Sequence, residues 1–165
     1  MRTRWIAVAV IVFGLLVLDQ ATKIYAVRHL KDAPQQQYLG DTIRVTYAEN
    51  PGAFLSIMST WSPQARFVVL TVLNSIVLLL LGGYLVTRPH LDWWSIVAFA
   101  CIFAGGVGNL IDRVRLDNIV IDFLNIGLGS LRTGIFNVAD MAIMAGFFIL
   151  LGLAFLRPTP HPAAD

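Results

Sequence analysis

The stretch FVVLTVLNSIVLLLLGGYLV, Phe67 to Val86, decides the fold: none of its residues is charged, and about 20 apolar residues are what a helix needs to cross the hydrocarbon core of a bilayer. Working outward from it, Trp93 to Ile111 is equally free of charge. Trp5 to Leu18 is uncharged too, and the run reaches about Val27 once Asp19 and Lys23 are accommodated within the helix. Val138 to Leu156 is apolar apart from Asp140 in its first turn. The 165 residues are 57% hydrophobic and 13% charged, and these four runs leave little chain for a soluble domain. An all-α integral membrane protein with a four-transmembrane-helix bundle, spans 5–27, 67–86, 93–111 and 138–156, is the expectation.

Four spans put both termini on one side. That side holds Arg2, Arg4, Arg88 and Arg157, whereas the other eight basic residues fall mostly in longer connections, so the positive-inside rule leaves the orientation open. Trp5, Tyr84, Trp93 and Trp94 gather on the side of the termini, at the level where amphipathic aromatics meet headgroups. Arg2 and Arg4 ahead of an apolar stretch imitate a secretory signal, but no small-residue cleavage site follows, which reads as a retained first helix. Cys101 is the single cysteine and suits a packing role. A net charge of +2, spread between spans, offers nothing to nucleic acid.

The connection 28–66 is too polar to span. Within it Thr42 to Tyr47 alternates polar and apolar residues as a strand does, after a turn at Leu39-Gly40-Asp41, so a small β element is expected. Phe54, Leu55, Ile57, Met58 and Trp61 form a segment too short to cross yet apolar enough for an interfacial helix. Ser62-Pro63 reads as an N-cap with proline at the first helical position. The second long connection, 112–136, is too short for a domain.

Only Asp92 and Asp165 of the ten acidic residues fall on the side of the termini. Function therefore belongs to the opposite face. Asp19, Asp112 and Asp140 sit at or within the ends of apolar spans, where a carboxylate is costly unless it is paired or faces water. Asp19 and Lys23 share a helix face at i, i+4, which fits an intrahelical ion pair or a place in a substrate site. Asn109, Asp112 and Arg113 share another face directly after Gly105-Gly106-Val107-Gly108, small residues that let a second helix approach. Asn137 and Asp140 fit an N-cap and a helix-dipole acid, or a site. Asp122 is a lone carboxylate in Ile119 to Leu124, which argues for a partly buried acid.

Asp122 and Asp140, brought together between the third and fourth spans, would form an aspartic protease dyad. Like charges a few ångströms apart share one proton, so one acid activates water and the other polarises the scissile carbonyl. Paired acids also serve proton relays and metal sites. A proton-coupled transporter would pass protons along Asp112, Asp122 and Asp140, but calls for polar residues through the bilayer centre. A metal-dependent lipid-headgroup transferase would depend on divalent ions.

The blocks Leu18-Asp19-Gln20-Ala21-Thr22-Lys23, Glu49-Asn50-Pro51-Gly52-Ala53-Phe54, Gly105 to Arg113, Val120-Ile121-Asp122-Phe123 and Phe136 to Asp140 resemble, in order, the five signature motifs of lipoprotein signal peptidase, the type II enzyme. One alanine precedes Phe54 where many relatives have two. The resemblance implies that Asp122 and Asp140 are catalytic, and that Asp19, Lys23, Asn50, Gly52, Asn109, Asp112, Arg113 and Asn137 shape the site or contact substrate. It implies an aspartic endopeptidase, free of metal or cofactor, that cuts diacylglyceryl-modified prolipoproteins immediately before the lipidated cysteine. It further implies inhibition by globomycin-type cyclic peptides, contact with membrane lipids, and a monomer in the bacterial cytoplasmic (inner) membrane. Both termini would be cytoplasmic and the site near the outer face, with 28–66 forming an extracytoplasmic β cradle and an interfacial helix that closes over substrate.

Overall fold

The structure, a computed structural model, describes residues 2–52, 58, 60–88 and 90–156. Four helices, Arg2–His29, Pro63–Thr87, Trp93–Arg115 and Val138–Leu156, are long and apolar enough to cross a membrane. Large apolar side chains such as Phe13, Leu79 and Phe155 stand exposed around them, as lipid-facing positions do. Since lipid tails are as apolar as leucine, the helices are held by close packing rather than by expulsion from water. The third helix touches each of the others. A Cβ on its Gly105 would collide with the Ala139 carbonyl oxygen of the fourth helix, and one on Gly146 of the fourth would collide with that of Ala98. The small residues of Gly105 to Gly108 thus do bring two backbones together.

Helix ends follow their caps. Ser62 accepts a hydrogen bond from the Ala65 amide at 3.2 Å with Pro63 next to it, so the second helix begins ahead of Phe67. Val68–Leu73 within it is π-helical, a widened turn for which the sequence gives no signal. Asp92 caps the third helix through Ser95, 3.0 Å to its amide and 2.7 Å to its hydroxyl. That helix continues to Arg115, so Asp112 and Arg113 lie in its closing turns rather than in the connection after it.

A small antiparallel sheet covers one end of the bundle. Its strands β1 Gln36–Tyr38, β2 Ile43–Asn50, β3 Val120–Leu128 and β4 Leu131–Arg132 pair in chain order. The β1–β2 turn holds Leu39, Gly40 and Asp41 at φ of 52°, 61° and 68°, a left-handed run in which Gly40 is the residue at ease. Half of the sheet comes from 112–136, where the sequence pattern predicts no strand. Strand β3 begins as a nearly continuous buried run because both of its faces are covered, and such strands lose the alternation that betrays a half-exposed one. Ile121 and Phe123 pack on Ala26 and Leu30 of the first helix. The interfacial helix expected over Phe54 to Trp61 falls mainly on 53–57 and 59, outside the described residues, as does the orientation of Phe54 and Leu55.

Candidate active site

Side chains alternate along a strand, so with Ile121 and Phe123 turned to the first helix, Val120 and Asp122 are turned away from it. Both line a cavity of about 430 Å³ shared with Asn50, Asn109, Arg113 and Asp140. Val69, Leu73, Val77, Ile143 and Met144 continue its wall along the second and fourth helices, giving the cavity one polar and one apolar flank.

Asp140 reaches the cavity from the first turn of the fourth helix. Asn137 caps that helix by accepting from the Asp140 amide at 3.0 Å, while Asp140 Oδ2 accepts from the Asn137 amide at 3.1 Å. The exchange is a reciprocal capping box. Asn137 and Asp140 thus do serve as cap and dipole partner, but that uses only part of each side chain. Asn137 Nδ2 also donates to Asp122 Oδ1 at 2.6 Å, and Asn109 Nδ2 donates to Asp140 Oδ1 at 2.9 Å. Asn137 is wholly buried and touches both acids. Asp122, 2% exposed, takes a further hydrogen bond at Oδ2 from Asn50 Nδ2 at 2.8 Å. Burial, and then the Asp140 carboxylate, push the Asp122 carboxyl up to about 7, against the Asn50 and Asn137 hydrogen bonds that favour its ionised form.

A second layer stands behind these amides. Lys23 is buried and its ammonium lies 2.9 Å from Asp19 Oδ2, 3.0 Å from Asp112 Oδ2 and 3.0 Å from Asn109 Oδ1. Three partners match its three N–H donors. The Asp19–Lys23 pair is thus the expected i, i+4 ion pair and is also one hydrogen bond removed from the group that holds Asp140. With its oxygen committed to Lys23 and Asn137, Asn109 can only present its amino group to Asp140. Asp19 Oδ1 accepts from the Ala139 amide at 2.9 Å and Asp112 Oδ2 from the Ile121 amide at 3.1 Å, tying this layer to the fourth helix and β3.

Asn50 closes the cavity from β2: its Oδ1 accepts from the Gly52 amide at 2.9 Å, and the Gly52 carbonyl accepts from Arg113 at 3.0 Å. All ten residues singled out in the sequence therefore meet at one end of the bundle. Gln20 was missed, although it belongs to the first block. Its amide contacts Asp19 at 3.1 Å and Asp112 at 3.2 Å, and its only signal was a second polar residue beside Asp19 in an apolar helix.

Four membrane-crossing helices capped by a sheet over buried acids match the fold of solved bacterial membrane enzymes. One determined by the in meso method at 2.3 Å aligns with a TM-score of 0.80 at 23% identity, over 96% of this chain and 93% of that one. Another, at 1.9 Å, aligns with a TM-score of 0.74 at 23% identity, over 93% and 94%. At that identity the likeness concerns the fold alone. The sequence goes further: the signal peptidase (SPase) II family pattern matches residues 11–156. Lipoprotein signal peptidase of Streptococcus pyogenes serotype M1 is 39% identical over 83% of this chain and 85% of its own. That of serotype M2, strain MGAS10270, is 38% identical over the same shares. The chain belongs to the signal peptidase II family. Membership makes it a protease and a multi-pass protein of a bacterial membrane.

Proposed function

We propose that this protein is an aspartic endopeptidase that removes the signal peptide from diacylglyceryl-modified prolipoproteins, cutting immediately before the lipidated cysteine. The family membership supports the cleavage of prolipoprotein signal peptides. The observation that carries the aspartic reading is that Asp122 and Asp140 line one cavity and are both held by Asn137.

In this scheme Asp122 holds the proton of the resting pair, in keeping with burial and Asp140 pushing its carboxyl up to about 7. Asp140 carries the negative charge, which the N-terminal turn of its helix favours. Ionised Asp140 takes a proton from water while the hydroxide adds to the scissile carbonyl carbon, and Asp122 gives its proton to the carbonyl oxygen. The resulting gem-diol collapses as Asp140 passes the proton it took to the amide nitrogen. The C–N bond breaks, and a diol hydroxyl proton returns to Asp122 as the signal peptide leaves as an acid. Asn137 and Asn109 keep both acids in place through the cycle, as a preorganised site needs. The apolar flank formed by Val69, Leu73, Val77 and Ile143 receives lipid chains beside the scissile bond. The site lies near the outer face of the cytoplasmic membrane, both termini are cytoplasmic, and the sheet with the segment after Asn50 cradles the substrate. No metal or cofactor enters this scheme, the protein works as a monomer, and globomycin-type cyclic peptides occupy the same cavity.

The test is product mapping by mass spectrometry with purified protein, given a prolipoprotein with and without its diacylglyceryl group, in the presence of EDTA. A single cut before the cysteine of the lipidated form alone is expected. Cutting of the bare form at equal rate, or loss of activity to EDTA, would sink the reading.

A further inference from the structure

A second cavity, of about 900 Å³, opens beside the candidate active site between the start of the second helix and the end of the third. Among the described residues Arg113 alone lines both cavities, and Arg66 is the cation that the larger one keeps to itself. Each guanidinium gives one hydrogen bond to backbone, Arg66 to the Pro51 carbonyl at 3.2 Å and Arg113 to that of Gly52 at 3.0 Å. The Nε–H of each is covered by protein without any hydrogen-bond partner. Among the described residues neither forms an ion pair, not even with Asp117, the one acid of the lining. Two under-used guanidiniums, each with five donors in a planar fork, suit a phosphate or carboxylate better than any other partner.

The rest of the cavity says which anion. Phe67, Val68 and Val114 line it and stand exposed on helices long and apolar enough to cross the membrane. Thr71 and Asn118, bonded to each other at 2.7 Å, add neutral polar groups near the cations. A charged pocket with an apolar rim facing the bilayer has the make-up of an amphiphile's site. The geometry points to a phospholipid with an anionic headgroup, its phosphate on Arg66 and Arg113 and its chains along Phe67, Val68 and Val114. The site adjoins the substrate cavity and shares Arg113 with it, and bound lipid braces the start of the second helix against the end of the third.

The test measures the thermal unfolding midpoint of the full chain in dodecylmaltoside with added short-chain phosphatidylglycerol, short-chain phosphatidylcholine or inorganic phosphate. Phosphatidylglycerol should raise the wild-type midpoint by several degrees, and phosphatidylcholine by clearly less. Arg66→Gln should lose most of the rise. Asp117→Asn removes the opposing charge at a turn position with φ of 56°, which asparagine tolerates, and should enlarge it. An equal rise in wild type, Arg66→Gln and Asp117→Asn would overturn the site. A full rise with inorganic phosphate alone would overturn the lipid. The readout involves no cleavage, so the same response in Asp122→Asn separates this inference from the catalytic one.

Discussion

Two pairs of carboxylates are buried at the same end of the bundle, and they differ in what answers their charge. Asp19 and Asp112 close on the ammonium of Lys23 and on backbone amides. Asp122 and Asp140 have no cation within ion-pair distance among the described residues and are held by the side-chain amides of Asn50, Asn109 and Asn137. A pair that shares a cation and backbone donors can stay ionised and suits a structural role. A pair held only by neutral donors cannot keep two negative charges in a low dielectric, so it retains a proton that it can give away. On the proposed function, neighbouring spots in one fold separate support from chemistry through the choice between lysine and asparagine.

Substitutions break this contrast in a definite order. Lys23→Met leaves two buried carboxylates without their cation, and removing one partner of a buried pair costs about 3–5 kcal/mol. Detergent-extracted Lys23→Met should therefore melt far below the wild type, the largest loss of stability expected among these residues; an unchanged melting temperature would mean that the pair is not structural. Asn137→Ala loses a helix cap, which costs about 1 kcal/mol, and takes a side-chain hydrogen bond from Asp122 while its backbone amide still donates to Asp140. A modest drop in melting temperature should accompany a fall of roughly 100-fold in kcat, the kind of loss seen when groups that orient a site are removed. Full turnover in the folded variant would contradict the positioning role.

Titration sharpens the contrast further. Because Asp122 must hold a proton and lies at about 7, cleavage should decline as pH rises through that value. Asn50 favours the ionised form, so Asn50→Val should shift the decline to higher pH, and a shift downward would contradict the assignment. Stability follows the same group. Its folded value stands above the unfolded 3.8, so its contribution is complete below 3.8 and is lost as pH rises through about 7. Asp122→Asn should flatten the melting temperature across that window.

Long apolar runs made the four helices legible, since the bilayer sets both the length and the composition of a span. The Ser62-Pro63 start and the turn before β2 were equally visible, each resting on local chemistry. Strand β3 was not. Its apolar run serves two packing faces, and its partner β2 is some 70 residues away in sequence, Ala48 lying opposite Asp122. Of the site, the polar residues in spans stood out because burying them demands a reason. Asp122 could be set beside Asp140 from the chain, but the place of Asp112 at Lys23 was hidden, because Asp19 could be read against Lys23 on one helix and not against Asp112 on another. Neither the extra turn width at Val68–Leu73 nor Gln20's bridge between Asp19 and Asp112 left a pattern in the chain.

The most direct test of the central claim is cleavage of a diacylated prolipoprotein by wild type, Asp122→Asn and Asp140→Asn, with melting temperatures taken on the same samples. Both variants should fold, and each should lose cleavage by at least about a thousand-fold, as expected when a group that moves the proton is removed. Near-normal turnover by either folded variant would contradict the claim and return the two acids to the role of structural partners.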